Sequence, residues 1–212
     1  MLTALVDYDS GNLHSAEKAF ERMARETDAG SVVVTSDADV IARADRIVLP
    51  GDGAFPACRA ALDAVSGIAE AIETAVIQRG VPFLGICVGM QMLATVGHEY
   101  QETKGFGWIA GEIDRITPSD TDLPVPHMGW NDLVIDHPHP VLDGISTGDH
   151  AYFVHSYQMT VRNSTERLAH VDYAGDVTAI IGRDNILGTQ FHPEKSQATG
   201  LRLIANFLTW RP

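Results

Sequence analysis

The stretch Val81-Pro82-Phe83-Leu84-Gly85-Ile86-Cys87-Val88-Gly89-Met90-Gln91 decides how this chain is read. Its first part, Val81 to Leu84, is a short apolar run of the kind that forms a buried strand. From Val88 to Val96 the composition turns to Met, Leu, Ala and Gln, which predicts a helix. Cys87 lies at the junction, framed by Gly85 and Gly89. A strand that runs directly into a helix makes a tight, strained turn, and with serine at its tip the same arrangement is the nucleophile elbow of hydrolases. The helix start adds unpaired N–H groups and the positive end of a dipole, both of which favour a thiolate. A free cysteine is more often a small buried hydrophobe. Cys58, which follows Pro56 in a helix-like stretch without glycine framing, reads as core or surface filling.

A second motif, Gln190-Phe191-His192-Pro193-Glu194, gives the thiol a partner. Ile186 to Phe191 reads as a strand, and on an extended segment His192 and Glu194, two apart, face the same side. The carboxylate can then take one ring N–H and set the tautomer, leaving the other nitrogen for a thiol. Nucleophile, base and orienting acid are the parts that covalent acyl chemistry needs. Pro193, with no N–H to donate, suits a strand end.

Working outward, strand-like and helix-like runs alternate through the first half. Strands are predicted at Leu2–Asp7, Ser31–Thr35, Arg46–Leu49 and Phe83–Ile86. Helices are predicted from about Asn12 to Glu26, near Asp37–Ala44, and in two pieces between Phe55 and Arg79. Such alternation predicts an α/β fold, a mostly parallel sheet wrapped by helices, with function at the carboxyl ends of its strands, where Gly51 and Cys87 both fall. From Gly105 to Gly188 short β-runs with Pro and Gly turns predict a strand-rich extension on the same core, and a helix from about Gln197 to Trp210 closes the chain. Gln91, four residues after Cys87, is one helical turn on and shares its face, so its amide can donate to and accept from a substrate. His155 and Tyr157 share parity in an extended run, so one face would carry both.

Composition narrows the classes of function. The 212 residues, 45% of them hydrophobic, suffice for one sizeable core and predict a single domain over 1–212. A net charge of −13 argues against nucleic acid as a partner. No apolar run approaches a membrane span. The N-terminus reads as a strand rather than a signal peptide, and two cysteines make no disulfide framework, so the expected compartment is a reducing cytoplasm. His137-Pro138-His139-Pro140 is a weak metal signal: closed zinc sites want four N or S ligands and no cysteine lies near, so no metal or other cofactor is expected.

The two motifs together resemble the class I (triad) glutamine amidotransferases, over essentially the whole chain. Gly85–Gln91 is similar to that family's cysteine loop, His192-Pro193-Glu194 to its histidine–glutamate motif, and Pro50-Gly51-Asp52-Gly53-Ala54-Phe55 to its oxyanion strand. Three more segments, Asp7–Leu13, Pro126–Asn131 and Tyr152–Tyr157, resemble one branch, the glutaminase subunits of imidazole glycerol phosphate synthases. The resemblance implies a flavodoxin-like sheet and hydrolysis of L-glutamine through a Cys87 thioester, with His192 and Glu194 completing the triad. It implies oxyanion donors at the Val88 N–H and in the Gly51–Asp52 strand. It further implies a substrate site of Gly51, Gln91, Glu99 (for the ammonium) and the main chain of His155, Ser156 and Tyr157. Finally, it implies a (β/α)8 synthase subunit as heterodimer partner that uses the ammonia for histidine biosynthesis, with Asn12, Lys195, His127 and Trp130 toward that partner. Two residues depart from the family's pattern: Asp9 stands where glycine is expected, and Asp52 where an apolar residue is. An α/β-hydrolase with a cysteine nucleophile would share the elbow, but there the acid precedes the histidine in sequence; here it follows. A non-catalytic subunit of the same fold is disfavoured by the presence of cysteine, histidine and glutamate together.

Overall fold

A computed structural model describes residues 1–212. Fourteen strands and six helices alternate in the first half and give way to strands in the second. The strands are β1 (Leu2–Val6), β2 (Ser31–Thr35), β3 (Arg46–Gly51), β4 (Phe83–Cys87), β5 (Val96–Gly97), β6 (Thr103–Lys104) and β7 (Gly111–Arg115). They continue as β8 (His127–Asp132), β9 (Val134–Ile135), β10 (His150–His155), β11 (Tyr157–Val161), β12 (Arg167–Asp172), β13 (Asp176–Arg183) and β14 (Ile186–Thr189). The helices are α1 (Leu13–Glu26), α2 (Ala38–Arg43), α3 (Phe55–Ala64), α4 (Ile68–Glu73), α5 (Val88–Gln91) and α6 (Gln197–Thr209).

The main sheet has eight strands in the order β2-β1-β3-β4-β14-β13-β12-β9. The first five are parallel to their neighbours and the remaining pairs antiparallel. From β1 the chain moves to β2 and then returns past β1 to β3, so right-handed crossovers put α1 and α2 on opposite faces. Helix α6 packs with α1, where the rings of Phe20 and Phe207 meet edge-on at 6.4 Å. Strands β3 and β4 are buried along their whole length, which is why they read as continuous apolar runs. The second half adds a β8–β10 ribbon and a four-stranded sheet, β11-β7-β5-β6. No helix is long and apolar enough to cross a membrane.

Three features differ from the sequence reading. The helix after Cys87 is one turn, not the predicted run to Val96. The 105–109 loop takes its next carbonyls instead: Phe106 N–H donates to Met92 O (2.6 Å), Ile109 to Leu93 O (3.1 Å) and Gly107 to Ala94 O (3.0 Å). The dipole of so short a turn is small, leaving individual N–H groups as its contribution. Second, Glu194 is not on an extended segment; His192 leads into a 3₁₀ turn over Pro193–Lys195, for which Pro193 is suited at the first position. Third, His155 and Tyr157 do not share one strand face: the chain bends at Ser156, passing from the β8–β10 ribbon into the four-stranded sheet.

Candidate active site

The register of the parallel strands assembles the site. Gly51, last in β3, is paired with Cys87, last in β4, and on the other side of β4 Thr189 of β14 is paired with Ile86. The next residues on from β14, Gln190 and His192, therefore emerge beside Cys87. Three adjacent strands thus deliver an oxyanion-strand candidate, a thiol and a base to one edge, the carboxyl edge, where open α/β sheets place their ligands.

Cys87 has φ 54° and ψ −112°, a left-handed conformation that costs a non-glycine residue about 1–3 kcal/mol. Its two glycines exist for packing. A methyl group on Gly89 would run into the Leu49 carbonyl oxygen, and one on Gly85 would lie 2.5 Å from the Gly89 carbonyl oxygen. The elbow closes only because the helical turn can lie directly on β3 and β4.

The side chains of His192 and Glu194 are buried, and Glu194 Oε1 accepts from His192 Nδ1 at 2.9 Å. The backbone of His192 is braced by β10: its N–H donates to Tyr152 O (3.2 Å), and its carbonyl accepts from Ser196 Oγ (2.7 Å). Nε2 is buried without a hydrogen-bond partner. Burial pulls this imidazole toward neutrality, but the adjoining Cys87 and Glu194 outweigh it and push the pKa up to about 10. A pKa raised in this way favours the charged ring, a state suited to sitting beside a thiolate and to protonating a leaving amine.

A cleft of about 290 Å³ opens over Cys87, lined by Asp52, Gly53, Val88, Gln91, Glu99, Pro126, Val154, His155, Ser156 and Tyr157. This is the small end of ligand clefts, the size of an amino acid rather than of a nucleotide or cofactor. The structure brings Asp52, Val88, Gln91, Glu99 and His155–Tyr157 together there as expected from the sequence; Gly51 lies beneath, buried against β4. Glu99 Oε2 accepts from the Phe55 N–H at 2.7 Å at the start of α3. Gln91 is narrower in capacity than its sequence suggested. Both its amide protons are committed, to Tyr157 O (3.2 Å) and Gln190 Oε1 (3.0 Å), so only Oε1 is left to meet a ligand, as an acceptor.

The oxyanion strand is held from behind. Tyr8 Oη donates to Pro50 O at 2.7 Å. The Asp52 N–H, expected to face the reacting centre, instead donates to Ser10 Oγ at 3.3 Å, and Asp52 O lies within hydrogen-bond distance of Ser10 Oγ (3.1 Å) and Cys58 Sγ (3.3 Å). In this geometry Asp52 is not an oxyanion donor; its hydrogen bonds run to residues of the β1–α1 loop and α3. Val88, first in its turn, keeps an N–H with no intrahelical acceptor. Of the two readings of Cys58, the structure selects core; its thiol also touches the Asp52 peptide, and burial pushes it up in pKa. Asp9, where glycine was expected, has φ 65°, a conformation that aspartate tolerates better than most residues.

Of the residues placed toward a partner, Trp130 is 48% exposed on β8 beside Met128 at 62%. Asn12 is exposed and caps α1, accepting from the Ser15 N–H at 3.4 Å, and Lys195 is half-buried. His127 cannot be a docking contact. Alternation along β8 turns it inward, 2% exposed, against Phe153 and Tyr173. There it joins a relay whose tautomers are dictated from its end. The Asn131 amide accepts from Asp132 N–H and donates to Asp172 O, so its nitrogen donates to His127 Nε2 (3.3 Å). His127 Nδ1 must then donate to His155 Nε2 (3.1 Å), and His155 Nδ1 to Tyr157 O (2.8 Å). Burial keeps both rings neutral, lowering His127 to about 4 and His155 to about 3.

Sequence reasoning missed Gln190, Ser10 and this relay. Gln190 had a visible signal, lying two residues before His192 at a strand exit; the others depend on pairings across the fold.

Comparison with known proteins agrees with this geometry. The family described as Glutamine amidotransferase class-I matches residues 5–210. The chain is 72% identical over 212 residues to the imidazole glycerol phosphate synthase subunit HisH of Cereibacter sphaeroides, and 70% identical over 212 residues to that of Ruegeria pomeroyi; each match covers 100% of both chains. A solved glutamine amidotransferase superposes with a TM-score of 0.70 at 18% identity, covering 97% of this chain and 98% of that one, a likeness of fold. With a family match spanning nearly its whole length, and with cysteine, histidine and glutamate converging at the strand ends, the chain belongs to the class I glutamine amidotransferases.

Proposed function

We propose that this chain hydrolyses L-glutamine to glutamate and ammonia, and delivers the ammonia to a (β/α)8 synthase subunit that makes imidazole glycerol phosphate in histidine biosynthesis. One observation carries the chemistry. A thiol on a strained elbow shares a strand edge with a buried imidazole that is hydrogen-bonded to a carboxylate. The full-length likeness to HisH subunits supports the pathway and the partner.

In this reading the Cys87 thiolate attacks the carboxamide carbon. His192, holding the thiol proton, delivers it to the departing ammonia and leaves a glutamyl thioester. Now neutral, His192 draws a proton from water, which hydrolyses the thioester. The Val88 N–H stabilises the oxyanions, and the Asp52 N–H joins it once released from Ser10. Glu99 and Gln91 Oε1 accept from the substrate ammonium, while main-chain groups at Ser156 and Tyr157 hold its carboxylate. Met128 and Trp130 on β8, with Asn12 and Lys195, face the synthase subunit.

The deciding experiment is Cys87→Ala in the complex. Glutamine-dependent synthesis is expected to fall by about 10⁴–10⁶-fold, while synthesis from added ammonia persists. Glutamine hydrolysis that survives the substitution would remove Cys87 from the mechanism.

A further inference from the structure

Gln190 is fully buried at the exit of β14, and the mechanism above gives it nothing to do. Yet its Nε2 lies 3.7 Å from Cys87 Sγ and donates a hydrogen bond to that sulfur. We infer that Gln190 is a catalytic residue, the resident donor that holds the Cys87 sulfur as a thiolate; the inference rests on Cys87 being the nucleophile.

The orientation of this amide is not free. Gln190 Oε1 accepts from Gln91 Nε2 at 3.0 Å, which turns Nε2 toward the sulfur. Gln91 is itself oriented by Tyr157 O, and Tyr157 O by His155 and His127 behind it. Flipping the Gln190 amide would set two donors against each other at Gln91 and an oxygen against the sulfur. Both contacts are unfavourable for an amide that is fully buried. A fixed N–H donor favours charged sulfur over neutral thiol, as hydrogen bonds to ionised groups are the stronger ones. Its role is therefore confined to the thiolate. As the sulfur acylates it loses charge, and oxyanion stabilisation passes to backbone N–H groups elsewhere. Glutamate at position 190 would fill the same space but present oxygens alone when ionised, so it could not make this contact.

The test is the pH profile of Cys87 alkylation by iodoacetamide, followed site by site by mass spectrometry in the full chain, for wild type and Gln190→Met. Methionine keeps the volume and adds no charge. The neutral-pH rate should fall about 10-fold, the effect of losing one charge-assisted hydrogen bond. The alkaline plateau should hold within about two-fold or rise, because a less stabilised thiolate is the better nucleophile. A uniform fall at every pH, or no fall, overturns the inference and leaves Gln190 a packing residue. Should the variant fail to fold by circular dichroism, wild type decides. The side-chain amide signal of Gln190 must shift in a ¹⁵N-correlated spectrum when Cys87 is alkylated, and an unmoved signal overturns the inference. Failure of the nucleophile reading looks different: Cys87→Ala would then retain glutamine hydrolysis.

Discussion

Asp52 meets the fold through its peptide rather than its side chain. Its carboxylate is exposed, while its N–H and carbonyl are both engaged by Ser10. Asp52→Val should accordingly leave partner-stimulated glutaminase activity within a modest factor of wild type. Asp52→Pro deletes the N–H and should lower that activity by about 10²–10³, the cost of one oxyanion donor; co-elution with the partner checks that binding survives. Ser10→Ala acts in the opposite sense. It frees the Asp52 peptide from a net hydrogen bond of about 1 kcal/mol, and resting glutamate release should rise several-fold. A resting rate that stays put would show that the hydroxyl does not restrain this strand. Only the identity of these residues was legible in the sequence, because Ser10 and Asp52 meet across the β1–β3 pairing, 42 positions apart.

The β8–β10 ribbon is the element that joins surface to site. Its outer positions carry Met128 and Trp130, its inner ones His127 and His155, and β10 braces His192 through Tyr152. The two inner histidines make the ribbon sensitive to acid. Their pKa values are lowered in the folded chain, to about 4 and about 3, against an ordinary 6.5 when unfolded. Between 6.5 and those values the unfolded state binds more protons. Stability from the neutral relay is therefore complete above 6.5 and lost as the pH falls toward 4 and 3. His127→Phe keeps the ring stack and removes one titration, so its urea midpoint should decline less than wild type's between pH 7 and pH 4.5. Parallel declines would show that the relay does not govern acid stability. His192 has the opposite sign: its pKa is raised to about 10, so its contribution is complete below 6.5 and lost as the pH rises through 10.

At the scale of the whole molecule, the site is an edge property of three neighbouring strands, β3, β4 and β14, with the ribbon laid beside them. The Asp52 N–H, held by Ser10, is turned away from the reacting centre in the isolated chain. The isolated chain should therefore release glutamate slowly and respond to the synthase subunit with its nucleotide ligand bound. Trp130→Ala should weaken that association about 10–30-fold, as loss of an exposed aromatic anchor does, while leaving the resting turnover of the isolated chain unchanged. Titration calorimetry and a glutamate assay separate the two effects. Full activity without a partner would describe a free-standing amidase.

The residues of the candidate site were legible in the sequence because they lie in local patterns: glycines framing a cysteine, a histidine and glutamate two apart, apolar runs alternating with amphipathic ones. Those patterns determined the parallel sheet, the elbow and the triad side chains, since strand and helix periodicity act over a few residues. Three things were decided only by tertiary structure. The Cys87 helix ended after one turn because the 105–109 loop competes for its carbonyls. His127 moved from an imagined surface to a buried relay because β8 pairs with β10 in a register that turns it inward. Gln190 came to the sulfur because β14 is inserted next to β4, 103 residues away in sequence. Hydrogen bonds are directional and short-ranged, so which donor meets which acceptor depends on strand order and register, and no window of sequence contains that information.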